Sequence, residues 1–143
     1  MFLVTMSSLS HATMDDPRRL REILDRALEL ASRHGLSSVL VGMAGSEGDP
    51  VFPEVVRYVE SSLRVDDSVF RMTRERVVLL LTDVDTARAE GIVSRLLAEF
   101  SEHFPSIADP TVEVHCFEVA PSTIELTLKQ VLPRMFPGPL APH

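Results

Sequence analysis

Between Leu63 and Leu81 the chain gathers charged side chains at spacings that could hold a ligand. Arg64 and Asp67 stand three residues apart, Arg71 follows, and Thr73-Arg74-Glu75-Arg76-Val77 joins two apolar runs. An arginine guanidinium can grip a phosphate through two parallel N–H bonds, and an aspartate can accept from N–H donors. Arg57 adds positive potential nearby. The same residues also have a plainer use. Arg64 falls where a helix should end, a favourable place for a cation, and Asp67 falls where a turn should begin.

Other groups capable of chemistry are poorly placed for it. Five histidines, at 11, 34, 103, 115 and 143, show no metal-ligand spacing. His115 and Cys116 are neighbours, but adjacent strand residues point to opposite faces, so they cannot work as imidazole and thiolate. Cys116 is therefore assigned to the core. Gly42, Gly45 and Gly48-Asp49 lack the lysine and the full glycine spacing of a phosphate loop, and a nucleophile elbow is absent. No catalytic residue, no metal ligand and no cofactor is assigned.

These groups sit in 143 residues, of which 45% are apolar and 24% charged, enough for one domain with a core of ordinary size. Fourteen basic against twenty-one acidic residues give a net charge of −7, which disfavours general binding to nucleic acid or anionic membrane. A single cysteine excludes an internal disulfide framework and fits a reducing cytoplasm. No apolar run approaches the ~20 residues of a membrane span, so a cytoplasmic domain without membrane insertion is expected. Residues 1–14 and 137–143 read as tails around a domain at 15–136.

The elements that must position the charged stretch follow from periodicity. Asp16 and Pro17 open a helix with apolar positions at 20, 23, 24, 27, 28 and 31, stopped by Gly35. A strand at 37–43, a glycine-bearing loop at 44–49 and a helix near 50–63 come next. Apolar runs at 68–72 and 77–81 give a hairpin whose turn, 73–76, is charged. Asp83 or Asp85 caps a helix with apolar positions at 89, 92, 93, 96, 97 and 100. A strand at 112–120 follows. Ser122 and Glu125 form a capping box for a last helix, ended by Pro133. This order predicts an α/β (α+β) single domain, a mixed central sheet flanked by helices, with 39–43, 77–81 and 112–120 in the sheet interior.

The charged stretch and its surroundings resemble the GGDEF domain of diguanylate cyclases. Arg64 and Asp67 match that family's Arg-x-x-Asp, Arg71 matches the arginine before the signature, and 73–77 falls where GG(D/E)EF should stand. Gly48-Asp49 ahead of a helix resembles the family's Gly-Asp-x-x-Leu. The likeness runs along residues 16–132 and implies the nucleotide-cyclase-like fold.

The departures bear on function. In active members the signature glycines let backbone lie against a triphosphate, where Thr73 and Arg74 would place side chains. Of the signature acids that hold metals only Glu75 survives, and 39–44 offers no aspartate. The resemblance therefore implies a degenerate, non-enzymatic, regulatory signalling domain. Its Arg64-x-x-Asp67, with Arg71, resembles the inhibitory site that binds cyclic di-GMP. The alternative is a nucleotide-independent interaction or dimerisation module, with a homodimer or a signalling protein as partner.

Overall fold

The computed structural model describes residues 14–106 and 111–137. The expected tails lie almost wholly outside these residues, as do His11 and His143. The elements are α1 (Pro17–His34), β1 (Ser38–Ala44), α2 (Phe52–Ser62), β2 (Ser68–Thr73), β3 (Arg76–Thr82), α3 (Thr86–His103), β4 (Glu113–Val119) and α4 (Leu128–Met135). Four strands form one sheet in the order β2-β3-β1-β4, and all three pairs are antiparallel.

The sheet is covered on both faces, which explains the continuous apolar runs of β1 and β3. Alternate residues of each strand serve opposite cores. Val39, Val41, Met43, Val77, Leu79 and Leu81 pack with α2 and α3, chiefly Phe52, Val55, Val59, Val93, Leu96 and Phe100. Leu40, Val78, Leu80 and Phe70 pack with α1 and α4 through Leu20, Ile23, Leu24, Ala27, Val131 and Met135. Gly42 makes the second packing feasible: a Cβ there would lie 2.6 Å from the Met135 carbonyl oxygen and 2.7 Å from its Cβ.

Capping fixes the helix ends. The Asp16 side chain accepts from Arg18 N at 3.0 Å, and Gly35, at φ 63°, closes α1 by donating to the Ala31 carbonyl. Two hydrogen bonds between Asp15 and the Arg71 backbone then tie the start of α1 to the outer edge of β2. Of the two aspartates expected to cap α3, Asp85 does so, accepting from Arg88 N at 2.9 Å.

The fold class and element order agree with the sequence reading, and four details differ. The sheet contains no parallel pair among the described residues. β4, expected in the interior, is an edge strand; Glu113 is exposed, as an edge permits, and the Glu118 carboxylate accepts from Thr86 N at 2.9 Å and Thr86 Oγ1 at 2.8 Å at the start of α3. The hairpin turn is two residues shorter, because a bulge between Arg71 and Thr73 brings Thr73 opposite Arg76 and leaves only Arg74 and Glu75 to turn. The last helix is capped by Thr127 with Gln130, not by Ser122 with Glu125, and it runs through Pro133 instead of ending there. Pro133 is exposed and near the helix end, so the Lys129 carbonyl it cannot bond can turn to water.

Leu96 is buried in the α3 face of the core. Leu96→Ala is expected to destabilise the domain by ~2–5 kcal/mol in denaturant melts. An unchanged midpoint would show that α3 does not pack on the sheet as described.

Candidate ligand groove

α2 ends at Ser62, Leu63 turns to extended backbone, and the next four residues make a tight link into β2. Asp67 N donates to the Arg64 carbonyl at 3.0 Å. The Asp67 carboxylate then closes the link from below. Oδ2 accepts from Arg64 N at 3.1 Å and Arg64 Nε at 3.4 Å, while Oδ1 accepts from Thr82 N at 3.0 Å and Thr82 Oγ1 at 3.2 Å. Arg64 also donates to the Thr82 carbonyl. The outcome is asymmetric: the Asp67 side chain is 4% exposed and the Arg64 side chain 57%.

Arg64 stands on the rim of an open groove of about 980 Å³. The lining continues through the β3–α3 connection, Asp83, Val84 and Asp85, and along α3, with Arg88, Gly91, Ile92 and Arg95 at helical spacing. Gly91 is informative, since a Cβ there would meet nothing within 4 Å. Packing does not require this glycine, although mid-helix glycine costs about 1 kcal/mol relative to alanine; its effect is to leave the groove without a side chain between two arginines. Arg95 lies 3.7 Å from Glu99, a loose pair. No described residue pairs with the Arg88 guanidinium; the residue's backbone N–H donates to the Asp85 carboxylate. Three guanidinium groups around one concave surface make it suited to a phosphate-bearing ligand.

The other residues singled out from sequence lie elsewhere. Arg71 is on β2 and pairs with Glu60 of α2; it does not line the groove. The turn sits at the far end of the hairpin. There Thr73 Oγ1 accepts from Glu75 N at 3.2 Å, and Arg74 is exposed. The Glu75 carboxylate accepts from Gly48 N at 3.2 Å and its carbonyl from Gly45 N at 2.8 Å. The Arg76 guanidinium lies 5.2 Å over the Phe136 ring, and Val77 is core. A catalytic metal pair does not fit here: Glu75 is the turn's one acid and is already bonded, and β1 carries no carboxylate. Asp49 bonds Val51 N at 2.8 Å, ahead of α2. Cys116 is half-buried against the α2–α3 core, and burial, reinforced by Glu90, raises its thiol pKa.

Arg88 and Arg95 are not among the residues that the sequence singles out, and Asp83 is there only as a candidate helix cap. The signal for the two arginines is faint but real: they stand seven apart with a glycine between them, beside Ile92 on the flank of the apolar face.

Comparison with known proteins agrees with this fold. The family described as Diguanylate cyclase, GGDEF domain matches residues 44–129. No curated protein matches. Among solved structures, PelD from Pseudomonas aeruginosa PAO1 superposes with a TM-score of 0.65 at 24% identity, covering 83% of this chain and 44% of that one. The diguanylate cyclase SiaD from Pseudomonas aeruginosa, in complex with its activator SiaC, gives 0.66 at 24% identity, covering 95% and 62%. The GGDEF domain of DgcB from Caulobacter crescentus, in complex with c-di-GMP, gives 0.58 at 18% identity, covering 78% and 80%. At these identities the likeness is one of fold, and the chain spans less than half of the PelD chain it matches.

Asp67 carries four donors in a buried position, so Asp67→Asn sets an amide N–H₂ against at least one of them. A loss of about 1.5–3 kcal/mol, the worth of a hydrogen bond to a charged group, is expected in thermal or denaturant melts. A melting curve equal to wild type would mean the carboxylate does not hold the Arg64 link.

Proposed function

We propose that this chain, which belongs to the diguanylate cyclase GGDEF domain family, is a degenerate member that makes no cyclic di-GMP but binds it in the Arg64 groove. The observation that carries this reading is the contrast between the two ends of the β2–β3 hairpin. At the turn, side chains stand where glycines would admit a triphosphate, and Glu75 is spent on Gly48 N. At the other end an open groove keeps Arg64, Arg88 and Arg95. Its volume of about 980 Å³ lies at the upper end of the roughly 300–1,000 Å³ range of small-molecule sites. A cyclic dinucleotide brings two phosphates and two purine edges, and guanidinium groups suit both. The complex of DgcB with c-di-GMP supports the ligand class. Because the groove is open on one side, a second chain or a partner protein would complete the enclosure.

A second reading keeps its own support. Val65, between the two motif residues, is 97% exposed, and SiaD is held by a protein activator. An exposed apolar side chain beside charged groups suits a protein contact. On that reading the chain is a nucleotide-independent regulatory module, soluble in the cytoplasm; among the described residues no helix is long and apolar enough to cross a membrane.

Two measurements test the proposal. Incubation with GTP and Mg²⁺ or Mn²⁺ is expected to give no cyclic di-GMP above a protein-free control; product that disappears in Glu75→Gln would overturn the inactive assignment. In calorimetric titration below the melting temperature, Arg64→Ala is expected to weaken cyclic di-GMP binding by ~1.5–3 kcal/mol, with some lowering of the melting temperature because the same side chain bonds Asp67 and the Thr82 carbonyl, and added salt should weaken binding in the wild type. Absence of heat and of thermal shift at millimolar ligand would leave the interaction module standing alone.

A further inference from the structure

The two edges of the sheet are not built alike. At β2 a bulge between Arg71 and Thr73 interrupts the strand, and Asp15 takes up both the N–H and the carbonyl of Arg71 on the outer side. β4, the other edge, carries no such device. Its seven residues, Glu113–Val119, pair with β1 without a register shift and include no proline and no lysine. Among the described residues nothing bonds the backbone groups on its outer side. An edge of this kind is a template for another strand.

Both layers beside β4 leave apolar side chains half-covered. Val114 and Cys116 lie on the α2–α3 side and Phe117 on the α1–α4 side, where Leu128 and Leu132 of α4 are also only partly buried. The charges along this edge are complementary. Glu113 is exposed, and no described residue bonds or pairs with its carboxylate. Arg134 is exposed as well, has no carboxylate partner among the described residues, and lies 5.3 Å over the Phe117 ring. Within one chain the two charges stay apart, because Glu113 stands four strand residues, about 13 Å, from Phe117.

We infer that β4 pairs antiparallel with β4 of a second copy of this chain about a two-fold axis, joining two sheets into one. The contact does not depend on the ligand reading. Its register follows from strand length and symmetry. Opposite residues of an antiparallel pair share a face, so the pairing that uses all seven residues sets Cys116 against itself. His115 of each copy then faces Phe117 of the other, and Glu113 faces Val119. Glu113 of one copy becomes the diagonal neighbour of Phe117 in the other, about 7–8 Å away, within reach of the Arg134 guanidinium over that ring. The two-fold makes this ion pair twice. Glu118 adds no free charge to the seam, since its carboxylate is held by Thr86 N and Oγ1. With the β2 edge blocked, the contact joins like surfaces and closes at two copies.

The test is the mass of the full chain, without nucleotide, by sedimentation equilibrium over a concentration series. The wild type is expected to rise from 15.9 kDa toward twice that mass. Glu113→Arg and Arg134→Glu each set like charges together at two places and should weaken dimerisation about tenfold or more; the double variant should restore it. Both positions are exposed, so each variant should fold. The chain has a single cysteine, and oxidation with diamide is expected to link the dimer through Cys116, far more slowly in Glu113→Arg. A wild type that stays at 15.9 kDa up to millimolar concentration would overturn the inference, and cyclic di-GMP binding by that monomer would leave the ligand reading intact. A dimer insensitive to both single charge reversals would put the contact elsewhere and overturn the inference too. Absence of cyclic di-GMP binding in a chain that dimerises as described would overturn the ligand reading alone.

Discussion

A carboxylate taken out of water has to find donors inside the protein, because leaving it unbonded costs several kcal/mol. Asp67 finds four, two from Arg64 and two from Thr82, and these belong to two different segments, the α2–β2 link and the end of β3. The link leaving α2 and the last residue of β3 are thereby held together. Arg64, bonded to the same carboxylate and to the Thr82 carbonyl, is carried to the rim of the groove. The position of Arg64 is thus a consequence of Asp67. The spacing of the motif does not show this asymmetry, in which one side chain is buried as a support and the other is left exposed.

The groove also resolves an apparent conflict with the overall charge. The chain is acidic by seven charges, which argues against anionic ligands at long range. At physiological ionic strength the Debye length is about 8 Å, so what a bound phosphate feels is set by its near neighbours. Around the groove these are three guanidinium groups and two aspartates. One of the aspartates, Asp85, is partly spent on capping α3. Local composition, not net charge, decides what the groove attracts.

How far the sequence could be followed depended on whether a feature was local. Helix α1 was legible because Asp16, Pro17 and Gly35 each act within one turn of themselves, and α3 because its apolar positions repeat at helical spacing. The start of α4 was not, since Ser122 with Glu125 and Thr127 with Gln130 both satisfy the same capping pattern. What separates them is tertiary: Met135 must reach Gly42 on β1. The edge position of β4 was written in Glu113 and Glu118, but its apolar residues between them outweighed that signal. In the groove, Arg64 and Asp67 were legible as a pair, though not which of the two is buried. Arg88 and Arg95 lie far along the chain on the flank of the apolar face of an amphipathic helix, and only the fold brings them to Arg64.

The hairpin geometry explains why one end can change without the other. β2 starts beside Asp67 and runs to the turn, and β3 returns from the turn to Thr82. Seven residues of strand at roughly 3.3 Å each put about 20 Å between the turn and the Thr82 end. Over that length β3 is buried almost throughout and bonded on both sides, to β2 and to β1. Substitutions that fill the turn with side chains therefore act on the 45–48 loop and on Phe136, which the turn touches, and not on the Asp67 support at the other end. A domain of this build can lose the residues of one site by ordinary mutation and keep the second intact. The rigid strand between the two sites is what makes them separable.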